Sequence, residues 1–225
     1  MKSLALLGAL ALISSSATAG FTGWTVERAT SPGGNIQYRV YANVDASNLV
    51  ALNVYNFQTV SGAPMNAIHN DNATDANESP TQTWSSNSNR IENPTAGLGR
   101  NDDSWVTISG ISTSGGNGTS LDASFDPSDL SSIPYNAGWY DSSAGTANPI
   151  LAGGTQGGYR MLVLQIVRAG GGQDALSTFS CILGYKVSGT TDALAGSGSF
   201  TIGVPAPGAL ALLGLAGLTG RRRRA

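Results

Sequence analysis

Short segments in which apolar and polar residues alternate recur along this chain, separated by clusters of Gly, Ser, Asn and Asp. In 36–44, for example, every second residue from Ile36 to Val44 is apolar, and mostly polar residues lie between. A period of two is that of a β-strand with one buried face. The pattern predicts strands at 23–28, 36–44, 49–60, 104–111, 159–167, 178–188 and 199–203.

So many short strands predict an all-β fold, an antiparallel β-sandwich of the jelly-roll or Ig-like type. The 30 glycines and 12% charged residues among 225 favour strands and turns over long helices. One β-sandwich domain is predicted over 20–203. The polar stretches 62–101 and 115–155 are predicted to be surface loops, where a local function is expected.

Two strand pairings follow from short connections rich in turn residues. Strands 36–44 and 49–60 are separated by Asp45-Ala46-Ser47-Asn48, which predicts a hairpin. Strand 159–167 is the most apolar, so it is predicted to be central. We expect it to pair with 178–188 across the glycines at 170–172.

The N-terminus has the pattern of a secretory signal peptide. Lys2 precedes an apolar run over 4–13, and Ala17-Thr18-Ala19 supplies a small-residue cleavage site before Gly20. The run is too short to span a membrane. We therefore expect export by the secretion machinery and cleavage of residues 1–19 at the site formed by Ala17 and Ala19.

The C-terminus combines a proline motif, an apolar helix and a basic cluster over 204–225. Val204, Pro205 and Pro207 precede the uncharged, mostly apolar run 208–220, for which we predict a transmembrane helix. Because arginines resist translocation, the tail is expected to leave the C-terminus in the cytoplasm and the middle domain outside. The basic cluster consists of Arg221, Arg222, Arg223 and Arg224.

This tail resembles the PEP-CTERM sorting signal, in a Val-Pro-x-Pro variant in which Ala206 stands where the usual tripeptide has glutamate. The resemblance covers about the last twenty residues. It implies processing by an exosortase-like enzyme, transient anchoring in the inner membrane, and delivery to the envelope, surface or extracellular matrix of a Gram-negative bacterium. A glycolipid-anchor signal is the alternative, against which the terminal arginines count.

Charge bears on the partners of the middle domain. Without Lys2 and the four terminal arginines, the chain has 14 acidic and 7 basic side chains. Such a domain repels polyanions, so no nucleic-acid partner is expected. Neutral partners or cations fit better.

Three aromatic residues in a Gly- and Asn-rich segment are candidates for stacking on sugar rings: Tyr135, Trp139 and Tyr140. Packing in the core or anchoring of the loop is the alternative for each. Extracellular polysaccharide is accordingly the candidate ligand.

Few residues suggest chemistry. A lone histidine, His69, excludes multi-histidine zinc sites and is expected to be a solvated loop residue; the lone Cys181 is expected to be a buried strand residue. No cofactor is expected, with calcium at Asp71, Asp75 and Glu78 as the alternative to a solvated polar loop.

These observations together predict an exported surface or matrix protein with a structural or adhesive role and no catalysis. The alternative is a carbohydrate-binding module for extracellular polysaccharide, and a polysaccharide hydrolase using acidic loop residues is a third hypothesis.

Overall fold

Every regular element in the described part of the chain is a β-strand. The computed structural model describes residues 20–69, 84, 102–108, 119–125, 129–141, 151–152, 158–169 and 174–204. Within these ranges the strands are β1 (Phe21–Thr30), β2 (Ile36–Val44), β3 (Leu49–Gly62), β4 (Trp105–Val106), β5 (Thr119–Leu121), β6 (Trp139–Asp141), β7 (Leu151–Ala152), β8 (Tyr159–Arg168), β9 (Ser177–Val187) and β10 (Ala193–Ile202).

The strands form two antiparallel sheets of five strands each. Sheet A has the order β1-β2-β8-β4, and β7 also pairs with β8. Sheet B has the order β10-β9-β3-β6-β5. The all-β prediction is therefore confirmed for the described residues.

The predicted hairpin of β2 and β3 is wrong, because the two strands lie in different sheets. β2 pairs with β1 and β8, whereas β3 pairs with β9 and β6. The hairpin partner of β2 is instead β1. In the turn between them, the amide of Ser31 donates to the carbonyl oxygen of Asn35 at 2.8 Å. Residues 45–48 connect the two sheets instead. The prediction failed because turn-forming residues are as suitable for a connection between sheets as for a hairpin.

The predicted pairing of β8 with β9 is also wrong. β8 lies between β2 and β4 in sheet A, and β9 lies between β10 and β3 in sheet B. The central position predicted for β8 is confirmed. Both strands are apolar because each is central in its own sheet, and the sequence pattern reports this burial but not the identity of the partner strand.

One hydrophobic core lies between the inward faces of the sheets. Val40 of β2 and Leu183 of β9 are both fully buried in it. An aromatic cluster strengthens it, with Phe57 stacked on Phe179 at a centroid distance of 5.4 Å and Phe200 5.7 Å from Phe179. Aromatic pairs at such distances add to the free energy gained by burial.

Glycines allow β1 to lie against β10 where the two sheets meet. A Cβ atom on Gly198 would lie 3.0 Å from Cδ1 of Trp24, and one on Gly196 would overlap the ring of Phe21. The rings of Phe21 and Trp24 therefore occupy the space that side chains on β10 would fill. This explains why an edge strand of sheet B is rich in residues of low β-propensity.

The two sheets differ in their outer faces. β2 and β8 are buried along nearly their whole length, on both faces, and Tyr41, Trp105 and Leu162 form a second small buried cluster. β9 instead alternates buried and partly exposed residues. The outer face of sheet B is therefore the broad strand surface that the described residues leave accessible.

Candidate functional site

The outer face of sheet B carries hydroxyl, amide and tyrosine side chains. On β9, Phe179, Cys181 and Leu183 point into the core, so the residues between them point outward. Register places Ser180 between Gln58 and Ser199, and Ile182 between Tyr55 and Ser197. We call this surface the sheet B face and define it by Asn53, Tyr55, Gln58, Tyr140, Ser180, Ile182, Ser197 and Ser199.

Two exposed tyrosines are neighbours on this face. Tyr140 lies directly opposite Asn53, and Tyr55 follows two residues along β3 on the same side. Their side chains are 45% and 38% exposed. Gly138 stands beside Tyr55, with its missing Cβ 3.2 Å from Cβ of Tyr55. The same position lies 3.1 Å from Oδ2 of Asp122, so β3 and the carboxylate of Asp122 leave no room for a side chain at Gly138.

A groove of about 330 Å³ lies on β9 and β10, next to Asn56 of β3. Tyr55 does not line the groove, but it is the register partner of Ile182, which does. Hydroxyl groups from two strands converge on it. Its lining consists of Asn56, Ser180, Cys181, Ile182, Ser197, Gly198 and Ser199.

A bulge in β3 shapes the end of the groove. Asn56 has a φ of 54°, in the left-handed region, which Asn tolerates better than most residues with a Cβ. Its Oδ1 accepts a hydrogen bond of 2.8 Å from Nε2 of Gln58, which also lies 3.3 Å from Oδ1 of Asn136. These bonds fix the amide groups that border the groove.

The same bulge holds the loop that carries Tyr135. The amide of Asn136 donates to the carbonyl of Phe57 at 2.8 Å, and the amide of Phe57 donates to the carbonyl of Ala137 at 3.1 Å. Tyr135 precedes Asn136 and is 70% exposed. The loop thus presents a third tyrosine from a position tied to β3.

The three aromatic residues that the sequence suggested as sugar contacts differ in their exposure to solvent. Tyr135 and Tyr140 are exposed, but Trp139 is 1% exposed and packs 6.2 Å from Phe57. Its Nε1 donates to the carbonyl oxygen of Thr107 at 3.0 Å. The ring of Trp139 therefore belongs to the core and cannot stack on a sugar in this conformation.

Sequence reasoning missed Tyr55. The signal was present, since Tyr55 stands at an outward position of a strand between the polar residues Asn53 and Gln58. The irregular register of β3 hid it. Bulges interrupt the pairing with β9 between Ala51 and Asn53 and between Tyr55 and Gln58, so a strict period of two does not describe the strand.

Cys181 behaves as a packing residue. Its side chain is buried, and burial raises the pKa of the thiol to about 12. A thiol that stays protonated is a poor nucleophile. The prediction of a buried strand residue is confirmed.

His69 is not the solvated loop residue that was predicted. Its side chain is 3% exposed, Nε2 donates to the carbonyl of Leu130 at 3.0 Å, and Nδ1 lies 3.2 Å from Oδ1 of Asp103. The ring also meets Trp84 edge to face at 4.8 Å. These contacts give His69 a structural part in joining the segments around it.

A buried arginine links the end of β8 to the segment that follows β3 and to the start of β9. Arg168, at the end of β8, donates to the carbonyl oxygens of Met65, Ala175 and Pro64 and to Oγ of Ser177. Burial lowers the pKa of Arg168. The nearby Asp174 and Tyr38 oppose this shift, and Asp174 also pairs with Arg28 at 3.1 Å.

Several predicted residues fall outside the described ranges. Val204 is described: it is exposed, and its amide donates to the carbonyl of Asp174 at 2.9 Å. Among the described residues, no helix has the length and apolarity to cross a membrane, and no three acidic, His or Cys side chains cluster as metal ligands would. The residues outside are Ala17, Ala19, Asp71, Asp75, Glu78, Pro205, Pro207, Arg221, Arg222, Arg223 and Arg224.

A scan against protein-family models, a search of curated proteins and a search of solved structures each return no match to this chain.

Proposed function

We propose that this chain is an exported, non-catalytic adhesive protein and that its sheet B face binds an extracellular polysaccharide. The observation that carries the proposal is that two exposed tyrosines, Tyr55 and Tyr140, lie on the same sheet face as a groove lined by hydroxyl groups. An aromatic ring offers an apolar face for the C–H side of a sugar ring. Serine hydroxyls and Asn or Gln amides offer both donors and acceptors for sugar hydroxyls.

The proposed ligand is an uncharged glycan. The residues that define the sheet B face carry no charge, so they provide no counter-ion for a carboxylated or sulfated polymer. The acidic surplus of the domain also repels such polymers at a distance. A neutral polysaccharide avoids both costs and still uses the tyrosine rings and the hydroxyl groups.

The proposal includes the routing and the finer fold. The signal peptide over 1–19 would direct the domain across the inner membrane, and its cleavage would release the N-terminus. The tail over 204–225 would bring the domain to an exosortase-like enzyme and then to the envelope or matrix. Among the described strands, the chain passes from one sheet to the other after β2, β3, β4, β6 and β8. This strand order, together with the terminal hairpins β1-β2 and β9-β10, supports a jelly-roll or Ig-like sandwich.

The test is binding of the natively exported protein to a panel of neutral and acidic polysaccharides by affinity electrophoresis. We expect retardation by one or more neutral polymers and none by acidic ones. Replacement of Tyr55 or Tyr140 by Ala should weaken the binding about fivefold and so reduce the retardation, whereas Val60→Ala, which also removes an exposed apolar side chain from β3, should leave it unchanged.

Two outcomes would overturn the binding proposal. One is retardation as strong in Tyr55→Ala and in Tyr140→Ala as in the native protein. The other is loss of binding in Tyr135→Ala with full binding in both sheet variants, which would move the site from the sheet B face to the loop.

A further inference from the structure

We propose that export creates a charged N-terminus at Gly20 and that Asp45 is its built-in counter-ion. In the structure the backbone nitrogen of Gly20 donates to Oδ1 of Asp45 at 2.6 Å. The amide of Asp45 donates in return to the carbonyl oxygen of Gly20 at 3.1 Å. Asp45 thus holds both polar groups of the residue that would be first after cleavage.

The fold secures the chain from Gly20 onward. Phe21 is the first residue of β1 and is paired with Val44. Its amide lies 3.3 Å from the hydroxyl oxygen of Tyr185, and its ring meets Trp24 edge to face at 5.0 Å. A cut between residues 19 and 20 therefore falls at the point where strand pairing begins.

Cleavage changes the chemistry of the Gly20 nitrogen. Water, used by a protease of the signal-peptidase class, hydrolyses the peptide bond and leaves a carboxylate on Ala19 and an amine on Gly20. An α-amine has an ordinary pKa near 7.7–8.0, so it takes up a proton at neutral pH. The neutral N–H donor to Asp45 becomes an ammonium, and the hydrogen bond becomes a charge-assisted one.

A purpose for the pair follows from the position of β1. This strand is at the edge of sheet A and also lies against β10. A free N-terminus at a strand end frays unless it is held. An ion pair that forms only after cleavage would fasten the exported form at this edge.

The first test is the N-terminal sequence of the exported protein, which should begin at Gly20. The second is the rate at which an amine-reactive acylating reagent labels the α-amine near pH 7, read by mass spectrometry of the N-terminal peptide. Because a nearby carboxylate favours the ammonium form, which does not react, Asp45→Asn should label about 3- to 10-fold faster than the native protein.

Asp192→Asn is the matched control, since it removes the same charge from the exposed turn between β9 and β10, and it should label at the native rate. A protein that begins one residue earlier, at Ala19, moves the amine away from Asp45 and should label as fast as Asp45→Asn. It serves also if Asp45→Asn does not fold. A native start at any other residue, or equal labelling of the native protein and the Ala19-initiated form, would overturn the inference.

Discussion

Tyr140 of β6 lies directly opposite Asn53 of β3, which makes it a diagonal neighbour of Tyr55 on the same outward surface. Diagonal neighbours across an antiparallel pair are roughly 7–8 Å apart. That spacing is comparable to the length of one or two sugar rings. In the proposed binding mode, a single glycan chain would contact both tyrosines at once and continue toward Ser180 and Ser197 in the groove.

The double variant Tyr55→Ala/Tyr140→Ala tests this geometry. If each ring stacks on its own sugar of one chain, each single replacement should cost about 1 kcal/mol of binding free energy and the two losses should roughly add. Isothermal titration of the four proteins with a neutral oligosaccharide measures this. A double variant that binds no worse than either single variant would mean that the rings do not bind separate sugars.

Trp139→Ala distinguishes a core residue from a ligand contact. Because the indole is buried against Phe57 and donates to Thr107, its removal should lower the free energy of unfolding by about 3–5 kcal/mol. Tyr135→Ala, at an exposed position, should change it by less than about 0.5 kcal/mol. Urea unfolding followed by tryptophan fluorescence or circular dichroism provides both values. Equal stability of the two variants would contradict the placement of Trp139.

The positions of the long strands could be predicted from the sequence, but their partners could not. The short strands β5, β6 and β7 were also missed, since they lie in the stretch 115–155 that was predicted to be a surface loop. The prediction for β2 matches the observed strand at both ends, 36–44, because its alternation is regular. β10 begins at Ala193 rather than 199, because Gly196 and Gly198 replace apolar residues where the rings of β1 supply the packing. Alternation reports which face is buried, whereas pairing depends on contacts with residues distant in the chain.

The candidate site was predictable only in part, for a related reason. Tyr140 could be identified from its composition-biased segment, but the adjacent Trp139 points the opposite way, as neighbouring residues on a strand must. Tyr55 and the groove residues come from three strands that are brought together by the fold. Local pattern cannot show that a Ser on β9 lies between a Gln on β3 and a Ser on β10.

Arg168→Met should be strongly destabilising. The replacement keeps much of the side-chain volume but leaves the buried carbonyl oxygens of Met65 and Ala175 without their donor. Removal of one partner from a buried charged network costs about 3–5 kcal/mol. Chemical denaturation measures the loss.

Arg28→Met is the matched control for Arg168→Met. Arg28 pairs with Asp174, but its side chain is 47% exposed, so solvent screens the pair. Its replacement should cost no more than about 1 kcal/mol. Similar losses in the two arginine variants would contradict the distinct part given to Arg168.

Alkaline pH should destabilise the protein, and Cys181 should account for part of the effect. The thiol has a pKa of about 12 in the fold against an ordinary value of 9.0, so between these values the unfolded chain loses a proton that the folded chain keeps. The folded state then binds more protons, and the free energy of unfolding falls as pH rises. The contribution is complete below pH 9 and is lost as pH approaches 12.

Burial also raises the pKa values of Tyr38 and Tyr41 above their ordinary value of 10.0. Their contributions to stability therefore begin to fall near pH 10, about one pH unit above the point at which that of Cys181 begins to fall. Between pH 9 and 10 the slope due to Cys181 is therefore measured most cleanly, and it approaches about 1.4 kcal/mol per pH unit as the thiol of the unfolded chain ionises. Urea unfolding of the native protein and Cys181→Ala at pH 8, 9 and 10 gives the two slopes. The variant should be less stable at pH 8, because it leaves a cavity, and should lose less stability on going to pH 10. Parallel pH profiles would show that the thiol ionises in the folded protein as readily as in the unfolded chain.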